Sequence, residues 1–480
     1  MPPFISTTLE SAATRCGCGA EELKRFNQHL HGLPASQAAR INPYEFADAA
    51  NIDREQTVDL FVHSAKLGLF DLEWGMVCPL CGAVVRSVAK IDHVAEDTVH
   101  CCICNKDTES ILDDTIEVSF AYSPPGSVFD LHGDYDAYQD YFTSSSHPYG
   151  QQLRSYRDQH AIADVKIEPG GQANLPLELK AGETYRFLCL DTHSGAEILV
   201  NETGKLAGET EVPRLSLSEA GFSEPAVELP AGASTLALTN QTEQTVWIRA
   251  LLIDIDTIKT IISSGSTEFG PRLTGKHLLN NQAFRDCFAL NELAPDLKLK
   301  LRNLTLLFTD LKGSTALYDR EGDLAAYRLV QDHFAALKKV VSNNSGAVIK
   351  TMGDAVMAAF PSGESGTAAA VAMMVAMQEV AKGRKEDDVG LKVGLHAGPA
   401  LAINSGNSVD YFGQTVNIAA RVQGLADAGD ICMTGALNDE DAIPALLNRS
   451  GYEGHSEVAT LKGVSAAERV YRYRSAHQPG

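Results

Sequence analysis

The sequence predicts a multidomain α+β protein: a helical N-terminal segment, a zinc ribbon and a central β-sandwich, followed by a C-terminal domain that mixes strands and helices. Three observations predict it. The chain has 480 residues, it carries two Cys-x-x-Cys pairs flanking strand-like runs, and a passage of short alternating strands gives way to longer strand and helix patterns. A chain this long exceeds what one hydrophobic core fills, so two to four domains are expected.

Composition narrows the function classes. A net charge of -22 and a pI near 5.0 argue against general nucleic-acid binding and against attraction to anionic lipid, both of which need a basic footprint. The opening stretch, with Glu10, Arg15 and Glu21 among small residues, lacks the basic start and apolar run of a secretory signal. The longest apolar run, Ala368 to Met377, is too short to span a bilayer. A cytoplasmic protein without a membrane span is expected, and its ten cysteines are expected as reduced thiols or metal ligands.

Residues 1–75 read as helical, with helix-period runs at Glu21 to Leu30 and Arg54 to Leu69, forming a small bundle or a winged helix. Asn51 or Asp53 would cap the second of these runs and Gly68 would end it. Residues 76–120 read as a zinc ribbon. Cys78, Cys81, Cys101 and Cys104 place four soft thiolates around one tetrahedral Zn2+, with Cys102 and His100 as alternatives for the fourth ligand. Four protein ligands close the coordination shell, so the zinc would be structural.

Residues 121–163, rich in Tyr, Ser, Pro and Gly, are expected to form an ordered connector or an irregular loop. Residues 164–256 hold short alternating runs such as "LPLELKAGETYRFLCL" and "TVWIRALLID", bounded by turn residues, and read as the β-sandwich. Residues 257–301 read as a linker with helical potential, and residues 302–475 as the C-terminal domain.

In that last domain "LTLLFTDLKGST" reads as a buried strand, Leu304 to Phe308, running into Asp310 and a turn that opens a helix. Free N–H groups at Gly313, Ser314 and Thr315 suit phosphate oxygens, while Asp310 suits a cation beside them. A second strand-turn-strand, "GAVIKTMGDAVMAAF", sets Asp354 in a tight turn. Two carboxylates on adjacent strand ends suit a pair of Mg2+ ions.

With "LKVGLHAGPA", "VDYFGQTVNIAARV" and "LKGVSAAERVYRY" added, five motifs in order resemble the class III adenylate/guanylate cyclase family, over about Leu304 to Tyr473. The resemblance implies a ferredoxin-like βαββαβ core. It also implies a homodimer with active sites at the interface, and two Mg2+ or Mn2+ per site held by Asp310, Asp354 and the carbonyl of Leu311. It assigns Lys350 and Asp410 to the base, Asn417 to the ribose, Arg421 to the α-phosphate in the transition state, and Lys462 and Lys392 to phosphates.

Asn417 and Arg421 lie one helical turn apart and so share a face. Adenine offers an acceptor at N1 and a donor at its 6-amino group, which suits a donating Lys350 and an accepting Asp410; guanine reverses both. The expected reaction is ATP to 3′,5′-cyclic AMP and pyrophosphate, with the N-terminal half regulating or scaffolding it through an unknown ligand or protein. The alternatives are a cyclase for GTP or a pyrimidine nucleotide, or an inactive cyclase-like regulatory domain.

Overall fold

The computed structural model describes residues 3–89, 91, 98–125, 130–201, 212–263, 268–288, 298–313, 322–381, 390–405, 408–464 and 467–476. Four longer helices open the chain: Pro3–Cys16, Ala20–Gly32, Pro43–Ala50 and Arg54–Lys66. Their ends follow from single residues. Asn42 Oδ1 accepts from the Tyr44 amide, with Pro43 at the first helical position, and Asp53 Oδ1 accepts from the Gln56 amide. Asn51 closes the third of these helices in a left-handed conformation, and Gly68, at φ +79°, turns the chain out of the fourth.

These helices pack on an antiparallel three-stranded sheet with Phe70–Val77 at its centre. Phe61 is the hub, its ring centroid 4.9 to 5.0 Å from those of Phe26, Phe46, Phe70 and Phe120. Aromatic burial on this scale dominates a small core.

Of the two readings of residues 121–163, the described residues follow the ordered one rather than the irregular loop. They contain two helices, Tyr135–Tyr141 and Gly150–Gln159, the first capped by Asp134, which accepts from the Ala137 amide at 2.9 Å. Helices of two or three turns are too short to declare a 3.6-residue period among so many tyrosines.

From Ala161 to Leu252 the chain builds a four-stranded and a five-stranded sheet. Gln172–Leu179 alternates, burying Leu175, Leu177 and Leu179, and these pack in one core with Phe187, Ile198 and Ile248 of the other sheet.

The stretch read as a linker with helical potential is helical and also packed. It holds helices Ile255–Ser263, Gly275–Leu279 and Gln282–Cys287, with Leu278, Leu279 and Phe284 buried. Thr274 and Asn281 cap the last two, accepting from the amides of His277 and Phe284.

The C-terminal domain runs strand Lys298–Lys312, helix Asp323–Asn343, strands Ala347–Met352 and Ala355–Phe360, helix Gly363–Val380 and strand Gly390–Asn404. This is a β-α-β-β-α-β unit. Lys298–Lys312 lies between Ala355–Phe360 and Gly390–Asn404, and Ile431–Thr434, Glu468–Ser475 and Tyr452–Ala459 extend the sheet beyond Gly390–Asn404.

Period-2 alternation gives the first strand two apolar faces. Leu307 and Leu311 pack with Leu337, Met373 and the two helices. Leu304, Leu306 and Phe308 turn the other way, into the core that holds Phe26, Phe61, Trp74 and Phe284. The N-terminal helices and the C-terminal sheet therefore share one core.

Candidate active site and metal centre

Asp310 stands near the end of strand Lys298–Lys312, directly across from Lys392 in the antiparallel pairing, and Lys392 Nζ lies 3.6 Å from Asp310 Oδ2. Asp354 sits in the tight turn between strands Ala347–Met352 and Ala355–Phe360, where Gly353 supplies a φ of +66°. Phe308 pairs with Met357, and carrying that register onward sets Asp354 beside Leu311. Both carboxylates are thus brought to one edge of the sheet.

Two residues without a motif fix this edge. His333, fully buried on helix Asp323–Asn343, contacts the Asp354 carbonyl through Nε2 at 3.2 Å, and Thr309 Oγ1 accepts from the Val356 amide at 3.0 Å. Burial lowers the His333 pKa, favouring a neutral imidazole. Asp310 and Asp354 offer the hard oxygen donors that a divalent cation of the magnesium type selects. Lys392, at 3.6 Å, is outside hydrogen-bond distance of Asp310, which leaves that carboxylate available.

Lys350 and Asp410 meet: Nζ to Oδ2 is 2.6 Å, with the aspartate largely covered and the lysine partly exposed. Asp410 Oδ1 also accepts from the Tyr411 amide at 2.8 Å, which fixes the carboxylate plane.

The segment behind this pair comes from the stretch read as a linker with helical potential. Gln282 Oε1 accepts from the Val348 amide at 2.8 Å, Asn280 Oδ1 accepts from the Tyr411 hydroxyl at 2.9 Å, and the half-buried Arg285 donates from its guanidinium to the Val409 carbonyl. The helical potential of this stretch is a local signal that points to these helices, and nothing local points to their contacts with the strands.

Asn417 and Arg421 both stand exposed on helix Gln414–Gln423, opposite its buried Ile418, Ala419 and Val422. Lys462 is exposed between strands Tyr452–Ala459 and Glu468–Ser475. Among the described residues, none of these three hydrogen-bonds to Asp310, Lys350, Lys392 or Asp410. Gly313 adopts φ +88°, while Ser314 and Thr315 lie outside the described residues. His396 is buried against Thr434 Oγ1 at 2.7 Å, and burial pushes its pKa down to about 4.

The second centre is the cysteine cluster. Cys78 Sγ is 3.3 Å from Cys104 Sγ, Cys81 Sγ is 3.6 Å from Cys101 Sγ, and Cys104 Sγ is 3.4 Å from both Cys81 and Cys101. Sulfurs at the corners of a tetrahedron with Zn–S of about 2.3 Å sit about 3.8 Å apart, so the set is close to the right size for one zinc ion. Gly82, at φ +72°, closes the first knuckle, with its amide donating to the Cys78 carbonyl at 3.0 Å. The alternatives for the fourth ligand fall away: Cys102 is buried against Leu188 and Leu251, and His100 turns to Asp107 at 2.9 Å.

Residues 12–286, more than half of the chain, match a family described as a family of unknown function, DUF5939. The chain belongs to that family. Residues 298–456 match the adenylate and guanylate cyclase catalytic domain, and the C-terminal domain is a class III cyclase domain.

Among curated relatives, "Adenylate cyclase 2" of Rhizobium meliloti is 34% identical over 130 residues, covering 25% of this chain and 36% of that protein. "Adenylate cyclase" of Anabaena cylindrica is 28% identical over 137 residues, covering 26% of this chain and 27% of that protein. The chain thus spans well under two thirds of either relative. Among solved structures, the adenylyl cyclase CyaB from P. aeruginosa is 20% identical, covering 38% of this chain and 99% of that chain, with a TM-score of 0.32. Among the described residues no helix is long and apolar enough to cross a membrane.

Proposed function

We propose that this member of the DUF5939 family is an adenylate cyclase, converting ATP to 3′,5′-cyclic AMP and pyrophosphate at the interface of a homodimer. The observation that carries the reading is the Lys350–Asp410 pair. A donor and an acceptor from two different hairpins are held 2.6 Å apart, at the place where the family reads the base. Adenine can replace each half of the pair, its N1 accepting from Lys350 and its amino group donating to Asp410. Guanine leaves both unmatched, which is a strong form of rejection in a closed site.

Asp310, Asp354 and the Leu311 carbonyl are the residues that would hold two Mg2+ or Mn2+. Bound there, the ions supply charge neutralisation for the triphosphate and acidify the 3′-hydroxyl. Asn417 orients the ribose, and Arg421 meets the charge that grows on the α-phosphate. Lys392, Lys462 and the amides following Gly313, including Ser314 and Thr315, bind the remaining phosphate oxygens. The exposed positions of Asn417, Arg421 and Lys462 suit groups that act on a nucleotide held by a second chain.

In this reading Cys78, Cys81, Cys101 and Cys104 hold a structural zinc. The two sheets of residues 161–252 form a β-sandwich that, with the zinc unit, regulates or scaffolds the catalytic pair in cytoplasmic signalling.

The test is product analysis with purified protein and ATP, GTP, CTP or UTP, each with Mn2+ or Mg2+, repeated with Asp310→Ala. Cyclic AMP from ATP alone, lost in the variant, supports the proposal. A different cyclic product overturns the base assignment, and no product from any nucleotide overturns the enzyme.

A further inference from the structure

A cavity of about 450 Å³ lies between the cysteine cluster, helices Gly150–Gln159 and Ile255–Ser263, and the five-stranded sheet. Its wall is mostly apolar, with Leu80, Ile103, Leu153, Leu188, Leu251 and Ile258 contributing. Leu80, Ile255 and Ile262, also in the wall, are 44%, 55% and 38% exposed, so the cavity opens to solvent through apolar side chains. Helix Ile255–Ser263 carries Ile255, Ile258 and Ile262 on one face, yet none of its residues is fully buried. Such a face is costly to leave wet.

The charge of the wall is opposite to that of the chain. Lys106, Arg157, Arg186 and Lys259 line the cavity, against one acidic side chain among the described lining, Glu197, in a protein of net charge -22. Arg157 is 4% exposed. It donates to Thr143 Oγ1 at 3.2 Å, while its Nη1 is buried without a hydrogen-bond partner. The left-over donor is matched by nothing in the described wall, and an unmatched buried guanidinium donor costs free energy until an anion approaches.

We propose that this cavity binds a fatty acid of about twelve carbons, with the alkyl chain along the isoleucine and leucine wall and the carboxylate at the basic side chains. The volume lies toward the small end of the roughly 300–1,000 Å³ range of ligand sites, which suits one alkyl chain rather than the two of a phospholipid. The site is independent of the nucleotide reaction, and its test reads binding rather than turnover.

The test is calorimetric titration of the full chain with dodecanoate and with 1-dodecanol, both below micelle formation, and co-sedimentation with phosphatidylglycerol vesicles. Dodecanoate is expected to bind saturably at one site per chain, about tenfold or more tighter than dodecanol. The double variant Lys106→Glu/Lys259→Glu changes two exposed residues, so it keeps the fold; it is expected to weaken dodecanoate by about tenfold and dodecanol little. Ile258→Asp is expected to abolish binding of both. Equal affinity for acid and alcohol, or unchanged affinity in the lysine variant, overturns the proposal. So does vesicle binding without a saturable dodecanoate site, which assigns the face to a membrane surface instead.

Discussion

The cysteine cluster and the candidate nucleotide site differ in how far their side chains are enclosed. At the cluster, all four sulfurs lie within 4.8 Å of one another, three of the four cysteines are buried, and both knuckles come from short local turns. At the candidate nucleotide site the charges are partly exposed, with Lys350 hydrogen-bonded to Asp410 and Lys392 3.6 Å from Asp310, while among the described residues Asn417, Arg421 and Lys462 are exposed and hydrogen-bond to none of these four. A structural metal must be enclosed for the fold to hold, whereas a substrate site must open, exchange its internal pairs for ligand contacts and accept groups from elsewhere. Stability should therefore reside in the first site and turnover in the second.

The strongest way to break this contrast is to remove one charged or ligating group from each. Cys101→Ser is expected to empty the cluster, taking zinc from about one per chain toward none by elemental analysis. Since a structural zinc site contributes on the order of 10 kcal/mol, the melting temperature should fall by more than about 10 °C. Asp310→Ala, at a partly exposed position, should shift the melting temperature by less than about 2 °C while abolishing cyclic nucleotide production. Comparable melting shifts in the two variants would erase the distinction.

Next in size is Arg421→Ala, expected to lower kcat by about 10²–10³ with KM changed less than about threefold, because its charge is used where new charge develops. Complementation sharpens the point. If each site takes Asp310 from one chain and Arg421 from the other, an equimolar mixture of Asp310→Ala and Arg421→Ala protein should recover roughly a quarter of wild-type activity by random pairing. Recovery of none would place both residues in one chain's site.

The base pair gives a smaller, directional effect. Lys350→Glu with Asp410→Lys preserves charge balance but reverses donor and acceptor, so the ATP to GTP ratio of kcat/KM should fall by about 10²-fold. An unchanged ratio would remove these residues from base selection.

What was legible in the sequence follows the same division. The cluster could be read from spacing, because Cys78 with Cys81 and Cys101 with Cys104 are local pairs; only the competition of Cys102 and His100 needed coordinates. Asp310, Asp354, Lys350 and Asp410 are individually ordinary turn and surface residues, and they became readable only through a chain of resembling motifs. Only partly legible were helices Gly275–Leu279 and Gln282–Cys287, which the sequence shows as helical potential in a linker, while the contacts of Asn280, Gln282 and Arg285 behind the strands that carry Lys350 and Asp410 were hidden. The shared core was equally hidden. Leu304, Leu306 and Phe308 read as a buried strand, and no local pattern says that Phe26, Phe61 and Phe284 cover them.

That shared core contains the smallest effect, and one that separates it from both sites. Glu55, on helix Arg54–Lys66, has its carboxyl pushed up to about 7 by burial, with Asp59 and Asp53 adding repulsion, and Asp59 is itself raised to about 6, mainly by burial. The same helix reaches the cyclase-proximal segment, where the Asn281 amide donates to Asp59 at 2.7 Å. A carboxyl with a folded pKa above its unfolded value contributes stability that is full below about 4.5 for Glu55 and is lost as the pH rises toward 7. The melting temperature should therefore decline across that window. Glu55→Gln should flatten the decline and stabilise the protein at pH 8 by on the order of 2 kcal/mol, measured as melting temperature against pH. The zinc content and the ATP to GTP ratio should not move with this substitution. A parallel loss of either would mean that the core, the cluster and the nucleotide site respond as one unit rather than as three.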